Sequence, residues 1–142
     1  MKLAGVHQIV VGATAGDAIT TMALNLRDAL RALGESEVYA LHRAPEVHDQ
    51  VLPLDHLPEL GHDGIIIYHA SFGEPAVTRV LLQRQERLVI AYHNITPADF
   101  FVEHSPQFAV GLQWGRHEMT LLRDRTSMTM TDSKFSAKEL GE

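Results

Sequence analysis

Residues 88–97 read LVIAYHNITP and change character halfway. Leu88, Val89, Ile90, Ala91 and Tyr92 have the composition of a strand buried on both faces. The run breaks at His93 and Asn94, and Pro97 disfavours helix at Thr96. A buried strand therefore delivers an imidazole and an amide to its carboxyl end. In open parallel α/β sheets, that end is where ligands bind.

Outward from this stretch, similar runs recur. Residues 6–12 (VHQIVVG), 37–41 (EVYAL) and 64–69 (GIIIYH) read as strands, and residues 127–131 as a weaker fifth. An amphipathic helix over 18–33 has Ile19, Met22, Leu26, Leu30 and Leu33 on its core-facing stripe, with Arg27, Asp28 and Arg31 toward water. Asp17 suits its N-cap, and Gly34 the position just past its end. Further helices are expected over 74–84, with Pro75 at the first position, and over 106–124; Ser136 caps a last one. Residues 43–58 hold three prolines and read as an irregular connection, with a short strand at 51–54. The alternation predicts an α/β fold: one domain over 1–142, an open parallel sheet of about five strands with helices on both faces.

Composition narrows the function classes. The chain has 142 residues, 45% of them hydrophobic, and a formal net charge of −6 with no cationic block. A nucleic-acid backbone as main partner is excluded, since phosphate contacts need clustered Lys and Arg. The absence of cysteine excludes disulfides, thiolate chemistry and Cys-based zinc sites, and fits a cytoplasmic location. The N-terminal apolar run is too short for a signal peptide, and no segment is long enough to span a bilayer. Peripheral membrane contact stays open.

The first βα turn, residues 12–17 (GATAGD), pairs small residues with a helix start. That arrangement serves equally as an anion cradle or as a tight turn and nothing more. Asp17 would compete with an anion for the same N–H donors. The GxGxxG spacing is missing, no acid follows the second strand, where Leu41 and His42 stand, and no Lys follows Gly16. Three strand ends carry polar groups: His69-Ala70-Ser71, His93-Asn94 and Asp132-Ser133. Neighbouring parallel strands would gather them on one rim. The nine histidines are scattered, and neither His42 with His48 nor His56 with His62 has tight metal-ligand spacing. No HExxH and no GxSxG occurs. Phe100, Phe101 and Phe108 read as packing residues, with the floor of an apolar pocket as the other reading.

Residues 91–101, AYHNITPADFF, resemble the YHNITP-x-x-FF segment of bacterial glycosyltransferases of family 4. Residues 16–34, 67–75 and 131–140 fit the same family in the same order. The resemblance implies the N-terminal, acceptor-side Rossmann-like domain of a GT-B enzyme. It implies metal-independent, retaining transfer of a sugar from a nucleotide sugar to a glycan or lipid-linked acceptor, as in polysaccharide biosynthesis, with no cofactor. His93 matches the family's histidine that contacts the transferring sugar, and Gly16 matches its glycine loop beside the donor diphosphate. Ala15 stands where many members have a second glycine. With such an enzyme in view, Ala15 and Gly16 of the first turn and the strand-end residues His69, Ser71, Asn94, Thr96 and Ser133 are expected to contact donor or acceptor. The family's basic pair and glutamate motif belong to a C-terminal donor domain that is not in this sequence. The expectation is that this chain alone transfers no sugar.

Two further readings compete. One is a non-catalytic α/β module that binds a glycan or protein through the same rim. The other is an unrelated flavodoxin-like domain.

Overall fold

The computed structural model describes residues 3–93, 103 and 105–131. The chain folds as β1 (Gly5–Ala13), α1 (Ala18–Leu30), β2 (Val38–Arg43), β3 (Val51–Pro53), β4 (Gly64–Ala70), α2 (Pro75–Gln83), β5 (Arg87–Tyr92), α3 (Pro106–Leu122) and β6 (Thr126–Thr131). The strands form one sheet in the order β3-β2-β1-β4-β5-β6, and every adjacent pair is parallel. This is an open, Rossmann-like α/β sheet. The order reverses between β1 and β4, the position at which such sheets leave a crevice above their carboxyl ends.

The period of two along each strand sorts the side chains into two cores. Ile9, Tyr39, Tyr68 and Ile90 lie in register across four strands and face α2 and α3, packing with Val77, Leu81, Leu112 and Leu122. Val10, Val38 and Ala40 project to the opposite face, against Ala23 of α1. Farther along that face Val6, Ile67, Val89 and Ala91 pack with Leu26 and Leu30. Helices thus cover both faces, as expected.

The sheet has six strands, the five main ones and the expected short strand, which pairs with β2 over Val51–Pro53 as an edge. The expected stripe on α1 is corrected in two places. Met22 is 45% exposed and Leu33 63% exposed, and the helix ends at Leu30. Thr20 and Ala23 face the sheet instead, both buried, with Ile19, Leu26 and Leu30 flanking them. Small residues on that side bring the helix close to β1. Arg27, expected in water, is largely covered and donates from Nη1 to the Gln50 carbonyl at 3.1 Å. The expected last helix at Ser136 lies outside the described residues.

Two glycines set the seat of α3. The Gly73 N–H, in the turn before α2, donates to the Gly111 carbonyl at 3.0 Å. A Cβ on Gly73 would come within 2.6 Å of the Gly115 nitrogen, so turn and helix touch backbone to backbone. The ring of Phe72 lies over Gly111 and stacks on Phe108 with centroids 5.2 Å apart.

Candidate functional site

At the reversal between β1 and β4 a crevice of about 280 Å³ opens above the carboxyl ends of the strands. Gly12, Thr14 and Asp17 line it from the first βα turn, and His69, Ser71 and Phe72 from the end of β4. The turn is closed by its own polar groups. Asp17 Oδ2 accepts from the Thr20 N–H and from the Thr20 hydroxyl, both at 2.9 Å. The Thr14 N–H in turn donates to the Thr20 hydroxyl at 3.3 Å. The carboxylate of Asp17 therefore takes a donor at the start of α1 that an anion would otherwise use.

A ladder of polar side chains climbs from the middle of the sheet to this rim. Gln8 lies opposite Ile67, so His69 stands two residues ahead of it on the neighbouring strand. His69 lies opposite Ala91, so His93 stands two residues ahead again. A step of two keeps all three on the α1 face. Gln8 Nε2 is 2.8 Å from the Ala23 carbonyl, and Gln8 Oε1 is 2.7 Å from His69 Nε2. His69 Nδ1 is 2.8 Å from His93 Nε2. The two imidazoles are 18° from coplanar with centroids 5.1 Å apart, the disposition of an in-plane N–H···N bond. The backbone holds the pair as well, since the His93 N–H donates to the Ala70 carbonyl at 2.9 Å.

Gln8 is fully buried and His69 is 2% exposed. Burial pushes the His69 pKa down to about 4, and the neighbouring His93 acts in the same direction. His69 is thus a neutral imidazole at neutral pH. Among the described residues no three His, Asp or Glu side chains gather as metal ligands.

A second buried polar cluster lies on the other face, between the sheet and its two helices. Glu118 of α3 is fully buried and accepts from Tyr68 of β4 and from Thr78 of α2. The indole N–H of Trp114 donates to the Thr78 hydroxyl at 2.8 Å. Burial raises the Glu118 pKa to about 7, and the Thr78 and Tyr68 hydrogen bonds offset part of that rise. The cluster ties β4, α2 and α3 together directly below the Gly73 turn.

Of the residues expected at the site, His69, Ser71 and His93 share the rim. Ala15 and Gly16 lie exposed in the first turn without lining the crevice, and the Ala15 N–H donates to Glu46 at 3.3 Å. Asn94, Thr96, Phe100, Phe101, Asp132 and Ser133 lie outside the described residues. Phe108 is 41% exposed on α3 and packs on Phe72. Sequence reasoning missed Gln8 and Glu118. The signal for Gln8 was present: a polar side chain inside a strand buried on both faces must find a partner.

The chain matches no family model, no curated protein and no solved structure. Among the described residues no helix is long and apolar enough to cross a membrane.

Proposed function

We propose that this chain is the acceptor-side domain of a retaining glycosyltransferase, moving a sugar from a nucleotide-sugar donor to a glycan or lipid-linked acceptor. It works with a donor-binding domain, needs no metal, and acts in the cytoplasm. One observation carries the reading. His93, the histidine of the AYHNITPADFF segment that resembles family 4 glycosyltransferases, stands at the end of β5 and is hydrogen-bonded to His69 beside the crevice at the sheet's reversal.

The chemistry of the crevice supports an uncharged, hydroxyl-rich ligand. Its walls offer the Thr14 and Ser71 hydroxyls and the Asp17 carboxylate, which suit sugar hydroxyls. A carboxylate already seated at the start of α1 repels a diphosphate. The leaving diphosphate then belongs with cationic groups on the donor domain, which can stabilise its developing charge.

The test is to join this chain to a matching donor domain and assay sugar transfer from a panel of nucleotide sugars. Transfer is expected in the assembly and not from the chain alone. His93→Ala in the assembly should lower turnover about 100-fold or more at a temperature where the variant is still folded, on the scale of a lost transition-state contact, while the unpaired His69 Nδ1 lowers stability by about 1–3 kcal/mol. Unchanged turnover would remove His93 from the mechanism. Acceptor binding with no transfer in any pairing would favour the non-catalytic binding module instead.

A further inference from the structure

We infer that Gln8 is a positioning residue: acting through His69, it fixes which ring nitrogen of His93 carries hydrogen, making His93 an Nε2–H imidazole that takes up or releases its further proton at Nδ1.

The hydrogen placement follows from one end of the ladder. The Ala23 backbone oxygen can only accept, so the end of the Gln8 amide 2.8 Å away is the NH₂ group. The opposite assignment would set two buried oxygens against each other, with the cost of unmet hydrogen bonds at both. Gln8 Oε1 therefore faces His69 Nε2 at 2.7 Å and can only accept, so His69 Nε2 carries the hydrogen. His69 is 2% exposed and its pKa is held at about 4, which leaves a lone pair on its Nδ1. His93 Nε2, 2.8 Å from that lone pair, must donate. The neutral and the protonated forms of His93 both satisfy this bond, and they differ only at Nδ1. Any in-plane hydrogen bond of the His93 ring to a further group runs through Nδ1.

His7, next to Gln8 in β1 but on the opposite face of the sheet beside Tyr39, supplies an internal reference. Its Nδ1 accepts the Glu37 N–H at 3.1 Å, so it too is an Nε2–H imidazole, but its placement depends on the backbone and not on Gln8. What His93 does toward a sugar rests on the glycosyltransferase reading; the hydrogen placement does not, and it can be read with no sugar present.

The experiment is nitrogen-15 NMR of the full chain with labelled histidine at neutral pH, in wild type, Gln8→Met and Gln8→Glu. In wild type, His69 and His93 should each show a protonated Nε2 and an unprotonated Nδ1, with a trans-hydrogen-bond coupling from His93 Nε2 to His69 Nδ1. Gln8→Met removes the acceptor, and the coupling and the fixed pattern at both rings should be lost while the His7 pattern persists. Gln8→Glu, kept as the neutral acid by full burial, donates its O–H to the Ala23 carbonyl and keeps an acceptor for His69 Nε2, so the coupling should be retained. A wild-type His93 protonated at Nδ1 alone overturns the inference, and does so even if neither variant folds. It is equally overturned by a Gln8→Met protein with an intact His7 pattern and an unchanged coupling. Loss of sugar transfer with the wild-type coupling intact would count against the enzyme reading and leave this one standing.

Discussion

Tyr68 of β4 donates its phenolic hydrogen to Glu118 of α3, so a fully buried ring at the centre of the sheet is pinned to a fully buried carboxyl on a helix. Burying an acid in this way has a cost that depends on pH. The native Glu118 pKa is about 7, against 4.5 when unfolded. Between these values the native chain holds a proton that the unfolded chain releases. Stability should therefore fall as pH rises from 4.5 to 7, by about 3 kcal/mol from this group. Glu118→Gln stays neutral and should abolish the fall. Urea unfolding at several pH values across this window would read it; a parallel fall in the variant would locate the dependence elsewhere.

His69 pulls the other way. Its native pKa of about 4 lies below the unfolded 6.5, so within this window acid favours the unfolded chain. Its contribution should shrink as pH drops from 6.5 to 4, again by about 3 kcal/mol, and level off below. His7, its pKa lowered by burial, acts in the same direction. In wild type the two slopes oppose each other. In the Glu118→Gln protein the histidine slope should stand unopposed, as a clear loss of stability on acidification. Glu86 adds to it at the acid end, because its burial is outweighed by Arg84 and backbone hydrogen bonds, which lower its pKa. A flat profile in that variant would show that His69 takes up its proton without cost.

Gly73→Ala should be costly. The added Cβ would lie 2.6 Å from the Gly115 nitrogen and 2.7 Å from its Cα, and backbone cannot step aside as a side chain can. Displacing α3 from the turn should cost about 1–3 kcal/mol, the usual range for overpacking. Gly16→Ala meets open space and only a left-handed φ of +82°, so about 1 kcal/mol is expected. Thermal melts of the two variants side by side should give a larger drop for Gly73→Ala; the reverse order would mean that the close approach relaxes freely.

Asp17 is expected to act as a cap first and as a charge second. Asp17→Ala removes the acceptor for the Thr20 N–H and should cost about 1 kcal/mol. Asp17→Asn keeps an acceptor oxygen and should come within a few tenths of a kcal/mol of wild type. Equal losses in both variants, by chemical denaturation, would assign the effect to charge.

Much of the fold was legible because buried parallel strands read as apolar runs. The segments at 64–69 and 88–92 needed no tertiary information, and both lie within observed strands. On α1 the spacing places Ile19, Leu26 and Leu30 rightly and Met22 and Leu33 wrongly, because hydrophobicity is only a proxy for contact. Thr20 and Ala23 win the sheet-facing positions by being small, and Met22 is left outside. The rim itself was legible, since His69 and His93 both end buried strands. The residues that organise it were not. Gln8 and Glu118 act through partners 61 and 50 positions away, and no local pattern encodes such pairings.

The ladder from Gln8 to His93 also has a meaning in time. Its members come from strands joined by crossovers, with a separation of 61 positions from Gln8 to His69 and a further 24 to His93. Closing such loops is slow compared with forming a helix turn. A chain emerging from synthesis holds Gln8 with only its Ala23 bond until β4 docks, and His69 with only its Gln8 bond until β5 follows. The histidine pair thus waits on two successive crossovers, and its signature would mark the moment at which β1, β4 and β5 have come together.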